Sequence, residues 1–463
     1  MEKKRNKFKV PNAYTLIVMF IIVSALATFI VPAGVYDTYL DEATGKQLVN
    51  SSSYHSVERT PVGVVGFLLS IPQGMMGAAS MIFLVFLIGG FFQIINDTGA
   101  IDASINILVN KLQDKSFLVI PIVMAIMSLL GALGIIVNAV IAFIPIGLAL
   151  AKKLKLDPIA GMSIMYLGAF TGTTTTPMGY YNTMLAQTIS GLEPLSGFAF
   201  RSVVWFIVFV VTVVYVLRYS KKVKDDVNNS VLDDYQHGDH SDQRIEAPKF
   251  NWRHAVVLVA LVVGFSIYSY GSFKLGWGID YLSATMLAVA LISGLVTKTH
   301  PDKMSISFIE GCKSMVFGAL VIGFAKSITI VLTDGQIIHS IIHYMSIPLQ
   351  QLPSTLSAVC MFYVNLIFNF FVPSGSGQAM IVMPLQAPLA DVVGVSRQVA
   401  VSAYLYGDGF SNTIIPTSGV LMGALGVAKI PWEKWLKFQL PLFGLWTLIG
   451  TVSIAVGVLI GWS

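Results

Sequence analysis

Apolar runs long enough to cross a bilayer recur along almost the whole chain, and the informative positions are where those runs break. A crossing helix needs on the order of 20 consecutive apolar residues. Ala13–Pro32 is the first such run. A short arm, Pro61–Ser70, leads into a second, Gln73–Ile95, which ends at Asn96-Asp97-Thr98-Gly99. Ala103–Leu112 is too short and too amphipathic to cross and reads as an interfacial helix. Phe117–Leu150 is apolar but interrupted by Gly131, Gly134 and Asn138, with Lys111 and Lys115 before it and Lys152, Lys153 and Lys155 after it. Basic residues on both flanks favour a re-entrant hairpin over two short crossings, with both feet in the cytoplasm. Ile159–Ile189 is broken at Thr171–Pro177, and Phe198–Leu217 crosses back.

Residues 220–253 form a polar cytoplasmic linker, whose HGDHSD run reads as a solvated connector rather than a metal site. Beyond it, His254–Tyr270 and Tyr281–Val296 form a helical pair. The arm Ser305–Glu310, the span Met315–Leu332 and the amphipathic Ile337–Met345 follow. Ser354–Leu389 is a second hairpin, interrupted at Val372-Pro373-Ser374-Gly375-Ser376-Gly377-Gln378. Gln398–Val427 is a second broken span, and Phe438–Ile460 is the last crossing.

The order arm, span, interfacial helix, hairpin, broken span, final span thus occurs twice. Pro145 and Pro384, Ala151 and Ala390, Gly168 and Gly407, and Pro177 and Pro416 are all separated by 239 positions. The chain divides into a first repeat, 1–219, the linker, and a second repeat, 254–463. Hairpins are expected at about 117–151 and 354–391, and broken helices at about 158–190 and 397–428. Counting crossings puts the two repeats in opposite orientations. Paired interruptions in inverted repeats are the sequence pointer to a secondary transporter with a midplane site. The expected fold is an all-α polytopic membrane protein.

Composition agrees: 55% of residues are hydrophobic and 11% charged, with a mean hydropathy of +0.74. The net charge of +5 gathers beside the apolar runs, which argues for orientation signals and against a nucleic-acid surface. Lys3, Lys4, Arg5, Lys7 and Lys9 place the N-terminus in the cytoplasm. The first apolar run is too long for a signal-peptide core and reads as a retained span. Cys312 and Cys360 lie in apolar surroundings as free thiols. His339 and His343 are spaced i, i+4, but the neighbouring sequence supplies no third metal ligand.

A helix broken inside a membrane exposes N–H groups that attract carboxylates and carbonyls that attract cations. Ser374, Gly375, Ser376, Gly377 and Gln378 suit a carboxylate, the glycines permitting close backbone approach. Asn138, Thr173, Thr174, Thr175, Asn412 and Thr413 offer neutral polar groups. Asp408 is the one acid in any of these breaks, fit for a coupling cation, a proton or a cationic substrate group. Its counterpart in the first repeat is Ala169. Lys326 lies mid-span with its role open between an ion pair and snorkelling.

At Val372–Gln378, Gly407–Gly419 and Ile430-Pro431-Trp432-Glu433-Lys434-Trp435 the sequence resembles the YfcC family, related to ArcD-type basic amino-acid antiporters within the ion transporter superfamily. The resemblance covers nearly the whole chain. It implies an elevator mechanism in a homodimer, with amino-acid or carboxylate substrates and arginine/ornithine exchange in some members. The superfamily's dicarboxylate carriers have Ser-Asn-Thr triplets at the hairpin tips, whereas here Ser411-Asn412-Thr413 lies in the broken helix. No sodium site or dicarboxylate specificity is therefore transferred.

An intramembrane aspartyl protease is a poor fit, because Gly407-Asp408-Gly409 has Leu405 upstream and no second acid lies in a suitable span. Ser376 lacks a rhomboid context, no Walker motif is present, and nothing requires a passive channel. The expectation is a non-enzymatic secondary carrier of amino acids in the cytoplasmic membrane, most simply a basic amino-acid exchanger. The alternative is a sodium- or proton-coupled carrier of dicarboxylates or other small carboxylates. Its partners are a small-molecule substrate and the lipid bilayer. No cofactor is expected beyond a coupling cation, sodium or a proton.

Overall fold

The computed structural model describes residues 13–41, 46–50, 52–101, 103, 107, 117–134, 136–177, 179, 182–193, 195–232 and 250–463. Most of the interfacial helix expected at 103–112 and the HGDHSD run lie outside them. The described chain is mostly α-helical, and five of its helices are long and apolar enough to cross a membrane. A sixth span results if the bent pair Pro301–Ser314 and Ala319–Asp334 is counted as one. Ile17–Ile30, Val64–Gly77, Val119–Ala132, Trp252–Tyr268 and Gly419–Ala428 are shorter apolar helices. This is a multi-pass membrane protein.

The first helix, Ala13–Ile30, is followed by two short antiparallel ribbons that sequence periodicity had not suggested. Gly34–Val35 pairs with His55–Ser56, and Thr38–Asp41 with Lys46–Val49. The first arm runs further than its expected end at Ser70, from Val64 through Pro72 to Gly77, and the span begins at Ala79. The second arm is Pro301–Ser314, ahead of the span Val316–Asp334. The arms pack crosswise: Val64–Gly77 lies along Val316–Asp334, and Pro301–Ser314 lies along Ala79–Asp97. Small residues make both crossings. A methyl group on Gly74 would strike the Gly323 carbonyl and Ser327, and one on Gly311 would strike the Gly89 carbonyl. Such close backbone approach is how helices associate in lipid, where apolar burial offers little drive.

Residues 117–151 contain the helices Val119–Ala132 and Val140–Lys153 (the second ending just past the stretch), and residues 354–391 contain Ser354–Phe371 and Gly375–Val392. Residues 158–190 contain Pro158–Thr175 and Asn182–Ile189, and residues 397–428 contain Arg397–Ser411 and Gly419–Ala428. Their starts are fixed alike. Asp157 accepts the Ala160 N–H at 2.9 Å and Ser396 accepts the Val399 N–H at 3.3 Å, so each side chain satisfies one of the free donors of a first turn. Val119–Ala132 packs along Pro158–Thr175, as Ser354–Phe371 does along Arg397–Ser411. Phe198–Asp225 continues past the residue-219 boundary before the linker begins.

The break expected at Thr171–Pro177 begins later, because the helix persists through Thr175. The hydroxyls are consumed inside the helix instead. Thr175 donates to the Thr171 carbonyl at 2.7 Å, Thr173 to that of Ala169 at 3.2 Å and Thr171 to that of Gly168 at 2.7 Å. Back-bonding to the preceding turn lets a threonine run stay helical without water.

Candidate functional site

One cavity of about 640 Å³ opens where the hairpin tips and the two broken helices meet. That volume lies within the range of small-molecule sites, roughly 300–1,000 Å³. Asn138, Thr173, Ser374, Gly375, Ser376, Asp408 and Asn412 all contribute to its wall. The other expected residues do not. Thr174, Thr175, Gln378 and Thr413 are fully buried, and Gly377, half-buried, is not part of the wall. Gln378 donates its amide to the Asn365 carbonyl and side chain at 3.1 and 3.0 Å. Thr413 donates to the Phe410 carbonyl at 2.7 Å and accepts from Gln439 at 3.2 Å.

The second hairpin brings the positive end of a helix to the cavity. Ser374 caps Gly375–Val392, accepting the Gly377 N–H at 3.3 Å, and Ser374 is exposed to the cavity. A Cβ on Gly375 would press on the Asn182 side chain, which also lines the cavity, so glycine lets the two approach closely. The second half of the second broken helix presents another such end. Ser418 caps Gly419–Ala428, accepting from Leu421 N at 3.4 Å, and Ser418 and Gly419 face the same space. N-terminal helix ends favour anionic ligand groups.

Asp408 stands opposite in kind. It lies in the last turn of Arg397–Ser411, where the helix end is negative, and is only 5% exposed. Asn412 donates its amide to the Asp408 carbonyl at 2.8 Å and to the carboxylate Oδ1 at 3.1 Å. Asn369 holds the same carbonyl at 3.0 Å and the Ser411 hydroxyl at 2.7 Å. The acid is thus held by hydrogen bonds with no basic side chain paired to it among the described residues.

Lys326 is the functional group that sequence alone left without a role. It lines the cavity from Val316–Asp334, with no ion pair among the described residues. Asn182, Thr329, Thr417 and Ser418 were also missed. A lone lysine in an apolar span and a serine just before a glycine-started helix were the signals available. His339 and His343 serve the segment that follows the first helix. The Tyr36 N–H donates to His339 Nδ1 at 3.1 Å, the Tyr36 hydroxyl meets His343 Nδ1 at 2.8 Å, and Tyr54 stacks on His343 at 3.7 Å.

A multi-pass helical protein whose half-helices end around a polar cavity is built as a membrane carrier. The family model for DcuC, the C4-dicarboxylate anaerobic carrier, matches residues 10–459, and the chain belongs to that family. The chain is 29% identical to YfcC of Escherichia coli (strain K12), whose description as a basic amino acid antiporter is provisional, over 99% of this chain and 98% of the relative. It is 27% identical to an uncharacterized protein of Haemophilus influenzae (strain ATCC 51907 / DSM 11121 / KW20 / Rd), over 98% of each. Among solved structures, the YdaH transporter of Alcanivorax borkumensis aligns at a TM-score of 0.42 and 16% identity, over 98% of this chain and 99% of that one. MtrF of Neisseria gonorrhoeae, from a class of antimetabolite efflux pumps, aligns at 0.46 and 16%, over 97% and 95%. The relatives indicate a secondary transporter.

Proposed function

We propose that the protein exchanges amino acids, basic ones foremost, across the cytoplasmic membrane. The observation that carries this reading is the pairing of opposite charge preferences in one cavity. Two helix N-termini, at Gly375 and Gly419, suit a substrate carboxylate, and Asp408 suits its cationic group. An α-amino acid carries both. The relative described as a basic amino acid antiporter supports the same class. Asn138, Thr173, Asn182 and Asn412 would orient the bound molecule.

The movement we propose is an elevator. Two inverted repeats, 1–219 and 254–463, supply hairpins and broken helices as the moving part and crossed arms and spans as the frame. The shared 239-residue spacing and the crosswise packing of the arms support it. The frame touches the moving part at Thr329, which donates to the Phe371 carbonyl at 3.0 Å. The working unit is a homodimer with its N-terminus cytoplasmic, an orientation supported by the basic residues from Lys3 to Lys9.

Counterflow in proteoliposomes tests the proposal. Labelled arginine or ornithine should enter vesicles loaded with unlabelled arginine, saturably, and Asp408→Asn should lower this at least tenfold. Indifference to basic amino acids, with uptake of C4-dicarboxylates instead, would favour the second reading. One observation speaks for that alternative: Lys326 adds a third carboxylate-attracting feature to the cavity wall.

A further inference from the structure

A second cavity, of about 400 Å³, shares no wall residue with the one described above. Four helix ends enclose it: the ends of Ala79–Asp97 and Ile279–Thr297, and the starts of Trp252–Leu275 and Pro301–Ser314. Its wall holds Arg253, Lys298 and Lys303, with His254 and His300, and Asp97 is the one acid among the described residues there. Both Asp97 oxygens are already engaged, accepting from the Gln93 amide at 3.0 Å and the Ser307 hydroxyl at 2.5 Å. Among the described residues no acid is paired with Arg253, Lys298 or Lys303. Asp302, 3.4 Å from His300 Nδ1, is not part of the wall.

Two helices begin at this space with their positive ends. Asn251 caps Trp252–Leu275, its Oδ1 accepting from Arg253 N at 2.9 Å and His254 N at 3.1 Å. His300 caps Pro301–Ser314, accepting from Asp302 N at 3.3 Å. The two negative ends are partly closed by their own chain. Thr299 N donates to the Gly294 carbonyl at 2.9 Å, and the Thr98 hydroxyl to that of Ile95 at 2.6 Å. The balance of charge and dipole favours an anion.

His254 supplies the observation that calls for a ligand. It is only 6% exposed, and its Nδ1 is buried with no hydrogen-bond partner among the described residues. Its tautomer follows from Asn251. Two backbone donors fix the Asn251 Oδ1, which leaves Nδ2 of that amide facing His254 Nε2 at 3.5 Å. Nε2 is then the accepting nitrogen, and Nδ1 carries the hydrogen. A buried N–H in the wall of a basic cavity has nothing to donate to, a cost that a bound acceptor removes.

The fold does not require this set. The two arms are each 14 residues long and begin 237 positions apart, at Val64 and Pro301. At that spacing Lys298, His300 and Lys303 correspond to Pro61, Gly63 and Gly66, none of them ionisable. Trp252, Leu295 and Ile306, exposed apolar side chains, stand within three residues of Arg253, Lys298 and Lys303 along the chain.

We propose that this cavity binds a phosphate group, from an acidic phospholipid headgroup or a free phosphate, held by His254 Nδ1, Arg253, Lys298 and Lys303. Compact anions rich in acceptor oxygens suit such a donor set, and basic pockets between membrane helices take lipid headgroups. The exposed apolar neighbours favour the lipid as the source. Occupancy would brace the helix that leaves the linker against the second arm.

Thermal scans of the purified, detergent-solubilised full chain test the site, with phosphatidylglycerol, phosphatidylcholine or inorganic phosphate added at constant ionic strength. A saturable rise in melting temperature is expected with phosphatidylglycerol and not with phosphatidylcholine. Arg253→Gln/Lys303→Gln should raise the half-saturating concentration by about tenfold or more, and His254→Phe severalfold. Lys152→Gln/Lys153→Gln, an equal loss of charge at the end of another helix, should leave it nearly unchanged. Melting in detergent alone reports whether each variant is folded. A rise with phosphatidylglycerol alone assigns the site to a headgroup, and a rise with inorganic phosphate alone assigns it to a soluble phosphate. No saturable rise with either, a rise matched by phosphatidylcholine, or half-saturation unchanged in the folded variants of Arg253/Lys303 or His254 overturns the site.

Discussion

Tyr404 donates its phenolic hydrogen to the carbonyl of Gly375 across 2.6 Å, tying the second broken helix to the tip of the second hairpin. Tyr404 sits one turn before Asp408, so the bond fixes how far the acid stands from the helix end that faces it. Removing the hydroxyl leaves a mostly enclosed carbonyl without its donor, which costs roughly 1–3 kcal/mol. Tyr404→Phe should melt a few degrees lower and show a raised KM in counterflow; an unchanged KM would mean that the tip is positioned without this bond.

Gly375 and Asn182 should be coupled. Gly375→Ala places a methyl group against the Asn182 side chain, so transport should fall tenfold or more while the protein remains folded. Asn182→Ala makes room, and the double variant should recover part of the loss. A double-mutant cycle with additive effects would show that the collision is not the cause.

Lys326 should bias the cavity towards carboxylates. Two like charges about 4 Å apart at an effective dielectric near 20 repel by about 4 kcal/mol, so neutralising one has room to change affinity severalfold. Lys326→Gln should bind arginine more tightly and lose competition by a C4-dicarboxylate, both read from inhibition of labelled uptake. Equal effects on the two ligands would place Lys326 outside the site.

The clamp around Tyr36 should weaken in acid. Burial pushes His339 and His343 below the ordinary histidine value of 6.5. His339 also accepts a backbone N–H, which only its unprotonated nitrogen can do. The folded state therefore binds its protons later than the unfolded chain. The stabilisation is complete above pH about 6.5 and is lost progressively as pH falls below it. Thermal scans of wild type between pH 5 and 7.5 should show this slope, and His339→Gln should flatten it.

The helical, membrane-crossing character of the chain was legible from its apolar runs, and Asp408 stood out as a charge where charge is expensive. What escaped was set by partners far away in sequence. Thr171 to Thr175 look like a helix break when read locally, yet each of Thr171, Thr173 and Thr175 is satisfied by a carbonyl of its own helix. Gln378 looked like a cavity ligand because it follows the glycines of the tip. Its amide is held by Asn365, 13 residues earlier, on the facing helix. Asn369, at i+4 from Asn365 in an apolar helix, is a readable polar pair in the sequence, but its partners lie about 40 residues on. Lys326 could be placed on its span but not aimed at the cavity, because its direction depends on how Val316–Asp334 crosses the first arm.

The first arm is 14 residues long, Val64–Gly77. At about 1.5 Å per residue it measures about 21 Å, against a hydrocarbon core of about 30 Å. Locked to its partner through Gly74 and Gly323, it cannot lengthen by sliding. A helix of this length facing lipid favours shorter acyl chains beside it. Turnover should accordingly depend on acyl chain length, fastest in short-chain bilayers and slowed in thick ones.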